Sequence, residues 1–352
     1  MCLTLCGKNC CNSKINIPQF NIQNSTISGN PDDKFETMLF LPEGEGRQGE
    51  GGIRTKGYFK HSYKLVDGKW FITDSDNNPV MPVPEDIQSK IKQYLSSNAQ
   101  YQTPITYLPL ITVITVVYNG AKYLEETILS VINQTYPNVE YIIIDGGSTD
   151  GTLDIIKKYE DYIDYWVSEK DKGIYDAMNK GIMCANGKWL LFVNIGDILL
   201  KIPDYKQLDE NMDLIVGKVK TISDKVEIVH CPEWSWKIKI KNTLHHQGIL
   251  YNRKKMSLFN LKYQVFSDFD KNQIMYKFHK NYVKLTDELI SSHQLNGISN
   301  SKNFFSENYK IILSNFGFIY LIISFIYYKL AGIKYRYKKI KNEIYNFISN
   351  LQ

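Results

Sequence analysis

The feature that most constrains the fold is a series of short apolar runs between residues 111 and 193, each ending at a polar loop. The first, Ile111 to Val117, is rich in β-branched residues, which favours a strand buried on both faces. Similar runs occupy residues 141–144, 163–167 and 189–193, with helically spaced apolar residues between them. This alternation predicts an α/β fold, a Rossmann-like and mostly parallel sheet with crossover helices.

The polar loops indicate where a ligand binds. Tyr118, Asp145, the loop 168–173 and the segment 194–197 each follow the carboxyl end of a predicted strand. Ligands of open α/β sheets bind in the crevice outside those ends. Carboxylates repel a bare phosphate but bind it through a divalent cation. The loops therefore predict a site for a metal ion and a nucleotide.

Five segments in this region resemble the donor-binding half of the family 2 glycosyltransferases, enzymes with the A-type nucleotide-sugar fold. The resemblance is greatest to the bacterial branch that builds O-antigen, capsule and lipopolysaccharide. It covers residues 110–200 and, in looser form, extends to residue 300. The segments that carry it are Thr-Val-Val-Tyr-Asn (115–119), Ser-Val-Ile-Asn-Gln-Thr-Tyr-Pro (130–137), Asp-Gly-Gly-Ser-Thr-Asp-Gly-Thr (145–152), Asp-Lys-Gly-Ile-Tyr-Asp-Ala-Met-Asn-Lys-Gly (171–181) and Asn-Ile-Gly-Asp (194–197).

The resemblance implies an inverting transfer of a hexosyl or N-acetylhexosaminyl group. The donor would be a nucleotide-sugar, with a UDP-sugar preferred, and the acceptor a glycan or a polyprenyl-diphosphate-linked sugar. Mn²⁺ or Mg²⁺ would be the cofactor. Asp268, in Ser-Asp-Phe-Asp (267–270), stands where the family carries its catalytic base and would deprotonate the acceptor hydroxyl.

The resemblance also implies the residues that bind the donor and the metal. Asp197 would be the metal ligand, and Asn194-Ile-Gly-Asp197 stands where many relatives carry Asp-x-Asp-Asp. With a single carboxylate, most of the ion's ligands would come from the diphosphate. Asp145 would bond to the uracil or ribose, and Tyr118 would stack on the base. The remaining candidates are Thr115 and Val116, whose backbone would read the base edge, Lys172 and Asn194 near the donor, and His246 and Gln247 at the diphosphate or the acceptor.

Ordinary structural roles compete with several of these assignments. Asp197 and Asp268 could each cap a helix, and Asp145 could serve only its turn. Lys172 could be a solvated loop lysine. Two other functions also stay open: a nucleotide-sugar-binding protein with a decayed site, and a nucleotidyltransferase on a similar sheet. For the latter we expect a glycine-rich phosphate loop after the first strand, which residues 118–123 do not resemble.

Extensions surround the predicted catalytic domain, residues 106–300, whose halves 106–200 and 201–300 would bind the nucleotide-sugar and the acceptor. Residues 1–52 contain four cysteines and a glycine-rich run, and we expect them to be flexible. For residues 53–105 the sequence predicts a small accessory element. It would contain a hairpin turning at Asp67-Gly68, followed by a helix.

The last segment, residues 301–352, is apolar and then basic. From Lys302 onward it carries eight Lys and Arg against two Glu, so this segment accounts for more than the chain's net charge of +5. The remainder is close to neutral, which argues against nucleic-acid binding. Residues 309–330 are long enough only for a marginal membrane span. They predict a tail lying in the membrane interface, with a packed core helix as the alternative. In the absence of a signal-peptide pattern, we expect a cytoplasmic protein, peripheral on the inner face of the cytoplasmic membrane.

Overall fold

The computed structural model describes residues 38–74, 77–97, 106–204, 208–209, 211–223, 226–294 and 305–331. Its main element is a ten-stranded sheet with the order β1-β8-β7-β6-β9-β13-β11-β14-β10, and β12 pairs with β11 outside this path. The strands are β1 (Gly49–Gly51), β6 (Ile111–Val117), β7 (Val139–Asp145), β8 (Tyr165–Ser168), β9 (Trp189–Phe192), β10 (Ile198–Leu199), β11 (Leu214–Ser223), β12 (Val226–His230), β13 (Ile249–Asn252) and β14 (Val283–Gln294).

The four strands β8, β7, β6 and β9 are parallel neighbours and form the centre of the nucleotide-sugar half. Every residue of β6 is buried, as its unbroken apolar sequence predicts. The crossovers are α2 (Ala121–Ile132), α3 (Thr152–Lys158) and α4 (Ile174–Cys184). The predicted α/β architecture is confirmed, and the carboxyl ends of these four strands lie at one edge.

The second half extends the same sheet by antiparallel pairing. Strand β13 runs antiparallel to both β9 and β11, and β14 pairs in parallel with β11. Helix α5 (Ser267–Phe278) precedes β14 and buries Phe269 and Met275. Its first turn carries Asp268, so one sheet supports both predicted halves.

The accessory element is present and packs on the main domain. The strands β4 (Pro79–Pro82), β3 (Lys69–Thr73), β2 (Tyr63–Val66) and β5 (Tyr107–Leu108) form a second sheet in that order, joined by α1 (Glu85–Ser97). Asp67 and Gly68 have φ of 47° and 77°, which the predicted two-residue hairpin turn requires. Trp70 and Ile87 belong to the same apolar core as Ile111. The extension therefore shares a core with the main domain rather than folding independently of it.

The N-terminal segment corrects the expectation of flexibility for residues 1–52. Residues 1–37 lie outside the described part of the chain, but residues 38–52 are ordered against the catalytic domain. Strand β1 pairs antiparallel with β8 through Gly49, Glu50 and Gly51. A Cβ on Gly51 would approach the Trp166 ring to 2.7 Å, so the glycine permits a close approach of the backbone. The glycine-rich composition thus serves packing here.

The predicted membrane tail divides into two helices. In α6 (Phe305–Phe316), Ile311 and Ile312 are fully buried and pack with Phe269 of α5. This part follows the alternative of a packed core helix. After Gly317, with φ of 83°, a second helix, α7, occupies residues 318–331. No helix in the described ranges is both long and apolar enough to cross a bilayer.

Candidate active site

Hydrogen bonds between loops hold the polar ends of the four parallel strands together. Asn119 donates its backbone N–H to Ser148 Oγ at 2.7 Å and accepts the Thr149 N–H at 2.9 Å. Ile195 N donates to Val116 O at 3.3 Å, which ties the loop after β9 to β6. The prediction that these loops converge is therefore confirmed.

Asp145 occupies this region, but its side chain is not available to a ligand. It is fully buried, and its carboxylate accepts hydrogen bonds from the Gly147 N–H at 3.2 Å, the Ser148 N–H at 3.0 Å and Ser168 Oγ at 2.5 Å. Ser148 Oγ donates to its other oxygen. These contacts favour the alternative role, in which Asp145 shapes the turn, over a direct bond to uracil or ribose.

Thr115 and Val116 also lie deeper than expected. Thr115 is fully buried, and its hydroxyl donates to Val193 O at 2.7 Å. Val116 O accepts the N–H of Ile195. Because β6 lies between β7 and β9, the backbone of these residues serves the sheet. Their polar groups have partners within the sheet, which argues against base reading, and Tyr118, 65% exposed, lies at the end of β6 beside the exposed Asn119.

Asp171 is the carboxylate that borders Tyr118. A Cβ built on Gly146 would come within 2.4 Å of Asp171 Oδ2 and 3.4 Å of the Tyr118 ring, so the carboxylate and the ring flank a position that only glycine can occupy. Asp171 Oδ1 accepts the Gly173 N–H at 2.8 Å, and no donor among the described residues bonds to Oδ2. Partial burial raises the pKa of Asp171, and the nearby Asp176 and Asp145 raise it further. The next residue, Lys172, is exposed.

Asp197 closes a tight turn after β9. Its carboxylate accepts the Asn194 N–H at 3.2 Å, and its carbonyl accepts the Thr127 hydroxyl from α2 at 2.9 Å. Burial raises the pKa of Asp197 to about 7, although His246 and a hydrogen bond from Gln247 partly oppose this. A buried carboxylate so weakly paired with cations is suited to bind one.

The residues that would hold a metal ion are few. The structure describes no cluster of three or more His, Cys, Asp or Glu arranged around a cation position. Asn194 lies beside Asp197 and is buried, yet its Oδ1 has no hydrogen-bond partner. An unpaired amide oxygen next to one carboxylate fits a hard divalent ion that takes its other ligands from a diphosphate.

One short turn joins the two candidate acids of the site. The 3₁₀ turn His246–Gly248 precedes β13, and its first two residues face different partners. The side-chain amide of Gln247 lies near Asp197 and acts to lower its pKa, whereas His246 Nδ1 lies 3.4 Å from Asp268 Oδ2. His246 Nε2 lies 3.0 Å from Asn194 Nδ2. Residues 246 and 247 thus connect the candidate metal ligand with the candidate base.

Asp268 projects from the first turn of α5 into this network. Its carboxylate accepts the Tyr175 hydroxyl at 3.2 Å and the Asn242 amide at 3.4 Å. Burial acts to raise its pKa, but the hydrogen bonds and charge of His246 and the bond from Tyr175 outweigh that effect and hold the pKa below its ordinary value. Asp268 is therefore held as a carboxylate, the form in which it accepts a proton.

The alternative role of Asp268 as a helix cap finds no support in the contacts at the start of α5. The N-cap position is Phe266, without a side-chain cap. The N–H groups of residues 264, 265 and 266 donate instead to the Glu307 carboxylate of α6 at 2.9, 3.0 and 3.2 Å. The neighbouring acid Asp270 faces away and accepts Asn315 Nδ2 at 2.8 Å. The two acids of Ser-Asp-Phe-Asp thus have separate partners.

Sequence reasoning missed three residues of this site. Tyr175 and Asp171 lie in the segment 171–181, where they were part of a matching motif without a role of their own. Asn242 precedes the Thr-Leu-His-His run and donates to Asp268. A signal for Asp171 existed in Gly146-Gly147, because glycine directly after a strand-end acid leaves room for a second acid.

Comparisons with known proteins match parts of this chain. The family model described as "Glycosyl transferase family 2" matches residues 112–260. A "PGL/p-HBAD biosynthesis glycosyltransferase" of Mycobacterium bovis BCG is 30% identical over 183 residues, covering 47% of this chain and 68% of the relative. The "Putative teichuronic acid biosynthesis glycosyltransferase TuaG" of Bacillus subtilis is 34% identical over 150 residues, covering 39% and 59%.

Among solved structures, S. aureus TarS 1–349 matches with a TM-score of 0.47 and 21% sequence identity. The match covers 58% of this chain and 65% of that one.

Proposed function

Because this chain belongs to glycosyltransferase family 2, we propose that it moves a sugar from a nucleotide-sugar, by preference a UDP-sugar, to a glycan or polyprenyl-diphosphate-linked acceptor. The process it serves would be the synthesis of a bacterial surface polysaccharide such as O-antigen or capsule. The names of two bacterial relatives, which refer to teichuronic acid and PGL/p-HBAD biosynthesis, support a biosynthetic glycosyl transfer.

The observation that carries this proposal is the turn that contacts both acids. His246 and Gln247 are consecutive, so Asp268 and Asp197 face one common space from the two halves of the sheet. A transferase needs a donor site and a base within the reach of a single sugar. A binding protein with a decayed site has no such need, and the retained Asp268 network therefore favours an enzyme.

The donor would lie against the ends of β6, β7 and β8. Tyr118 offers an exposed ring for stacking on the base, and Asp171 Oδ2 offers an uncommitted acceptor for a base N–H or a ribose hydroxyl. Lys172, exposed next to Asp171, would meet the diphosphate as a point charge. Asp145 supports this pocket indirectly by fixing the turn 145–148.

Asp197 and the Asn194 amide oxygen would hold Mn²⁺ or Mg²⁺ together with the diphosphate. A divalent ion at that position neutralises the charge of the departing nucleoside diphosphate. Asn194 is positioned for this by His246, and Asp197 by Gln247 and Thr127. The protein's share of the ligands is small, so the ion and the donor should bind cooperatively.

Asp268 would act as the catalytic base. It accepts the proton of the acceptor hydroxyl as that oxygen forms a bond to the anomeric carbon, while the bond from that carbon to the diphosphate oxygen breaks and the leaving group takes its electron pair. Attack opposite the leaving group inverts the anomeric carbon. Tyr175 and Asn242 fix the carboxylate, and His246 keeps it ionised.

The experiment that tests this proposal is a nucleotide-sugar screen with the full chain. Release of nucleoside diphosphate from UDP-, GDP- and dTDP-sugars is measured with Mn²⁺ and with EDTA. We expect one nucleotide class to be consumed and the reaction to require the ion. A chain that binds a nucleotide-sugar but releases nucleoside diphosphate from none of the donors would favour the decayed site instead.

A further inference from the structure

Helix α7, residues 318–331, turns its apolar side chains outward. Phe318 and Ile319 are 66% and 72% exposed, and the exposed positions repeat at helical spacing. They form a stripe made of Phe318, Ile319, Ile322, Phe325, Ile326 and Leu330. A helix that only packs on a globular domain buries such a stripe. The outward apolar stripe of α7 therefore requires a partner other than water.

The inward side of α7 explains this orientation, because polar contacts fix it. Ser324 is fully buried and donates its hydroxyl to Ile240 O at 2.7 Å. Lys239 Nζ donates to Tyr320 OH at 3.0 Å, and Lys241 Nζ donates to Tyr327 OH at 2.9 Å. Three contacts along nearly two turns orient the helix, so its outward face is a built feature of the fold.

Charge identifies the chemistry of the partner. Lys329 lies on the exposed side of α7, and Lys334, Arg336, Lys338, Lys339 and Lys341 follow it in the sequence with no acid between them. An apolar helical stripe flanked by cations matches an anionic lipid surface, which offers hydrocarbon for the stripe and phosphate for the cations. A soluble anionic protein would offer negative charge for the cations but no hydrocarbon for the stripe.

We propose that the outward stripe of α7 docks this protein on anionic membrane and brings a lipid-linked acceptor to Asp268. The inference rests on the proposed function for the identity of the acceptor. The segment that anchors α7 leads directly to the base: it runs from Trp236 through Lys239 and Lys241 to Asn242, which bonds to Asp268. Trp236 is 52% exposed at the start of this segment, as an aromatic anchor in the headgroup region would be. The acceptor's lipid stays in the bilayer while its sugar reaches the site.

The test is flotation of the full chain with vesicles of phosphatidylcholine, with and without phosphatidylglycerol. The docking variant is the triple substitution Ile319→Ser, Ile322→Ser and Ile326→Ser. The control replaces three exposed β-branched residues on β12, Val226→Ser, Ile228→Ser and Val229→Ser. We expect the wild type and the control to float with anionic vesicles and to be released by salt. The docking variant should partition at least about tenfold less, because three apolar side chains no longer leave water.

Turnover on a short water-soluble acceptor, measured on the same samples, separates this inference from the proposed function. Docking variant and wild type should match there, and only the rate on a vesicle-embedded acceptor should fall. Wild type that does not float, or a docking variant that floats equally well, overturns the docking face even if transfer is intact. A dimer that dissociates in the docking variant, without vesicle binding, would assign the stripe to a second copy and also overturn it.

Discussion

Asp197 and Asn194 lie in one turn after β9, which is held by the hydroxyl of Thr127. Among the described residues, no Lys, Arg or His side chain hydrogen-bonds to the buried carboxylate of Asp197, and the neutral amide of Gln247 lies near it. A divalent cation bound there would offset the cost of burying the charged form. Asp145 is also buried, but both of its oxygens accept hydrogen bonds from donors of its own loops.

Asp197→Asn tests the metal assignment. The amide keeps the size of the side chain but removes its charge, so we expect Mn²⁺-dependent turnover to fall at least about 100-fold, with the melting temperature little changed. Isothermal titration of Mn²⁺ in the presence of nucleoside diphosphate measures the loss of affinity. Asp154→Asn, an exposed acid in the first turn of α3, is the matched control and should behave as wild type. Near-normal Mn²⁺ stimulation in the Asp197 variant would remove it from the metal site.

At this scale the sequence predicted the positions of acids better than their roles. Asp197 and Asp268 follow from the strand ends and the family resemblance. The difference between Asp145 and Asp171 does not, because it depends on the space above Gly146 and on donors from Ser148 and Ser168. The sequence predicts where the strands end, but it does not predict the orientation of a side chain in the loop that follows.

Among the elements, the N-terminal segment 41–51 is bonded directly to the loop 168–173. Arg47 bonds to Glu169 through two nitrogens at 2.8 and 2.6 Å, the Gly44 N–H donates to the same carboxylate, and Lys170 N donates to Glu45 O at 3.1 Å. Asp171 lies two residues after Glu169, in the loop that these bonds hold. The segment lies outside the part of the chain that the family model matches.

Arg47→Met is therefore expected to act on the donor rather than on the acceptor. In this variant Glu169 keeps its ion pair with Lys180 at 2.7 Å but loses both bonds from Arg47, so the loop 169–173 is held less firmly. We therefore expect the KM for the nucleotide-sugar to rise about tenfold. The KM for the acceptor should stay constant in the same steady-state assays. Lys56, in the neighbouring accessory element 53–105, pairs with Asp161, and the two side chains are 47% and 83% exposed. Lys56→Met breaks this exposed pair and should change neither constant. A parallel rise in both KM values would reduce Arg47 to a general structural role.

The same extension is anchored by a buried ion pair. Arg54 Nη2 lies 2.6 Å from Glu140 Oε1, both side chains are 1% exposed, and Arg54 also donates to Leu39 O and Cys184 O. Burial acts to raise the pKa of Glu140, but Arg54 and hydrogen bonds from Thr112 and Asn186 outweigh it and keep the pKa below its ordinary value. The pair joins the extension to the amino end of β7, opposite the polar loops.

Arg54→Met should lower the free energy of unfolding by about 3–5 kcal/mol, because it leaves Glu140 buried without its cation. The double variant Arg54→Met with Glu140→Gln should recover part of that loss. Since the pKa of Glu140 is depressed in the folded protein, the stability it contributes is present above its ordinary pKa of 4.5 and is lost as the pH falls through the lower folded value. Urea unfolding at pH 7 and pH 4 measures both effects. A wild type that keeps its full advantage over the double variant at pH 4 would contradict the linkage.

At this scale the alternation of apolar runs predicted the parallel strands and crossover helices. It did not predict β1, since three residues containing two glycines have no apolar pattern, and their pairing depends on the exposed edge of β8. The alternation also ends before the second half of the sheet, where β11 is one continuous strand of ten residues.

Considered as a whole, the molecule joins the parallel and antiparallel halves of one sheet to a C-terminal pair of helices with different surroundings. Helix α6 stabilises the start of α5 through Glu307 and buries Ile311 and Ile312. Helix α7 presents its apolar stripe outward. The apolar composition of residues 309–330 could not separate these tasks, because both helices have it.

Two truncations distinguish the helices. A chain ending at Asn303 loses α6 together with Ile311 and Ile312, uncovers Phe269 of α5 and frees the N–H groups that Glu307 binds. We therefore expect a loss of about 5 kcal/mol or more in unfolding free energy. A chain ending at Gly317 should remain folded and transfer sugar to a soluble acceptor. Thermal unfolding and turnover of both chains check this. Equal stability of the two would mean that α6 does not support α5.

The central claim is that Asp268 activates the acceptor for attack on a donor bound at the other half of the sheet. One pair of variants tests this claim most directly. Asp268→Asn and Asp270→Asn are isosteric changes two residues apart in α5, with different partners. Nucleotide-sugar affinity and turnover are measured on both. We predict unchanged affinity for both, a 10²- to about 10⁴-fold loss of turnover for Asp268→Asn, and near-normal turnover for Asp270→Asn. Unchanged turnover in Asp268→Asn, or an equal loss in both variants, would contradict the assignment of Asp268 as the base.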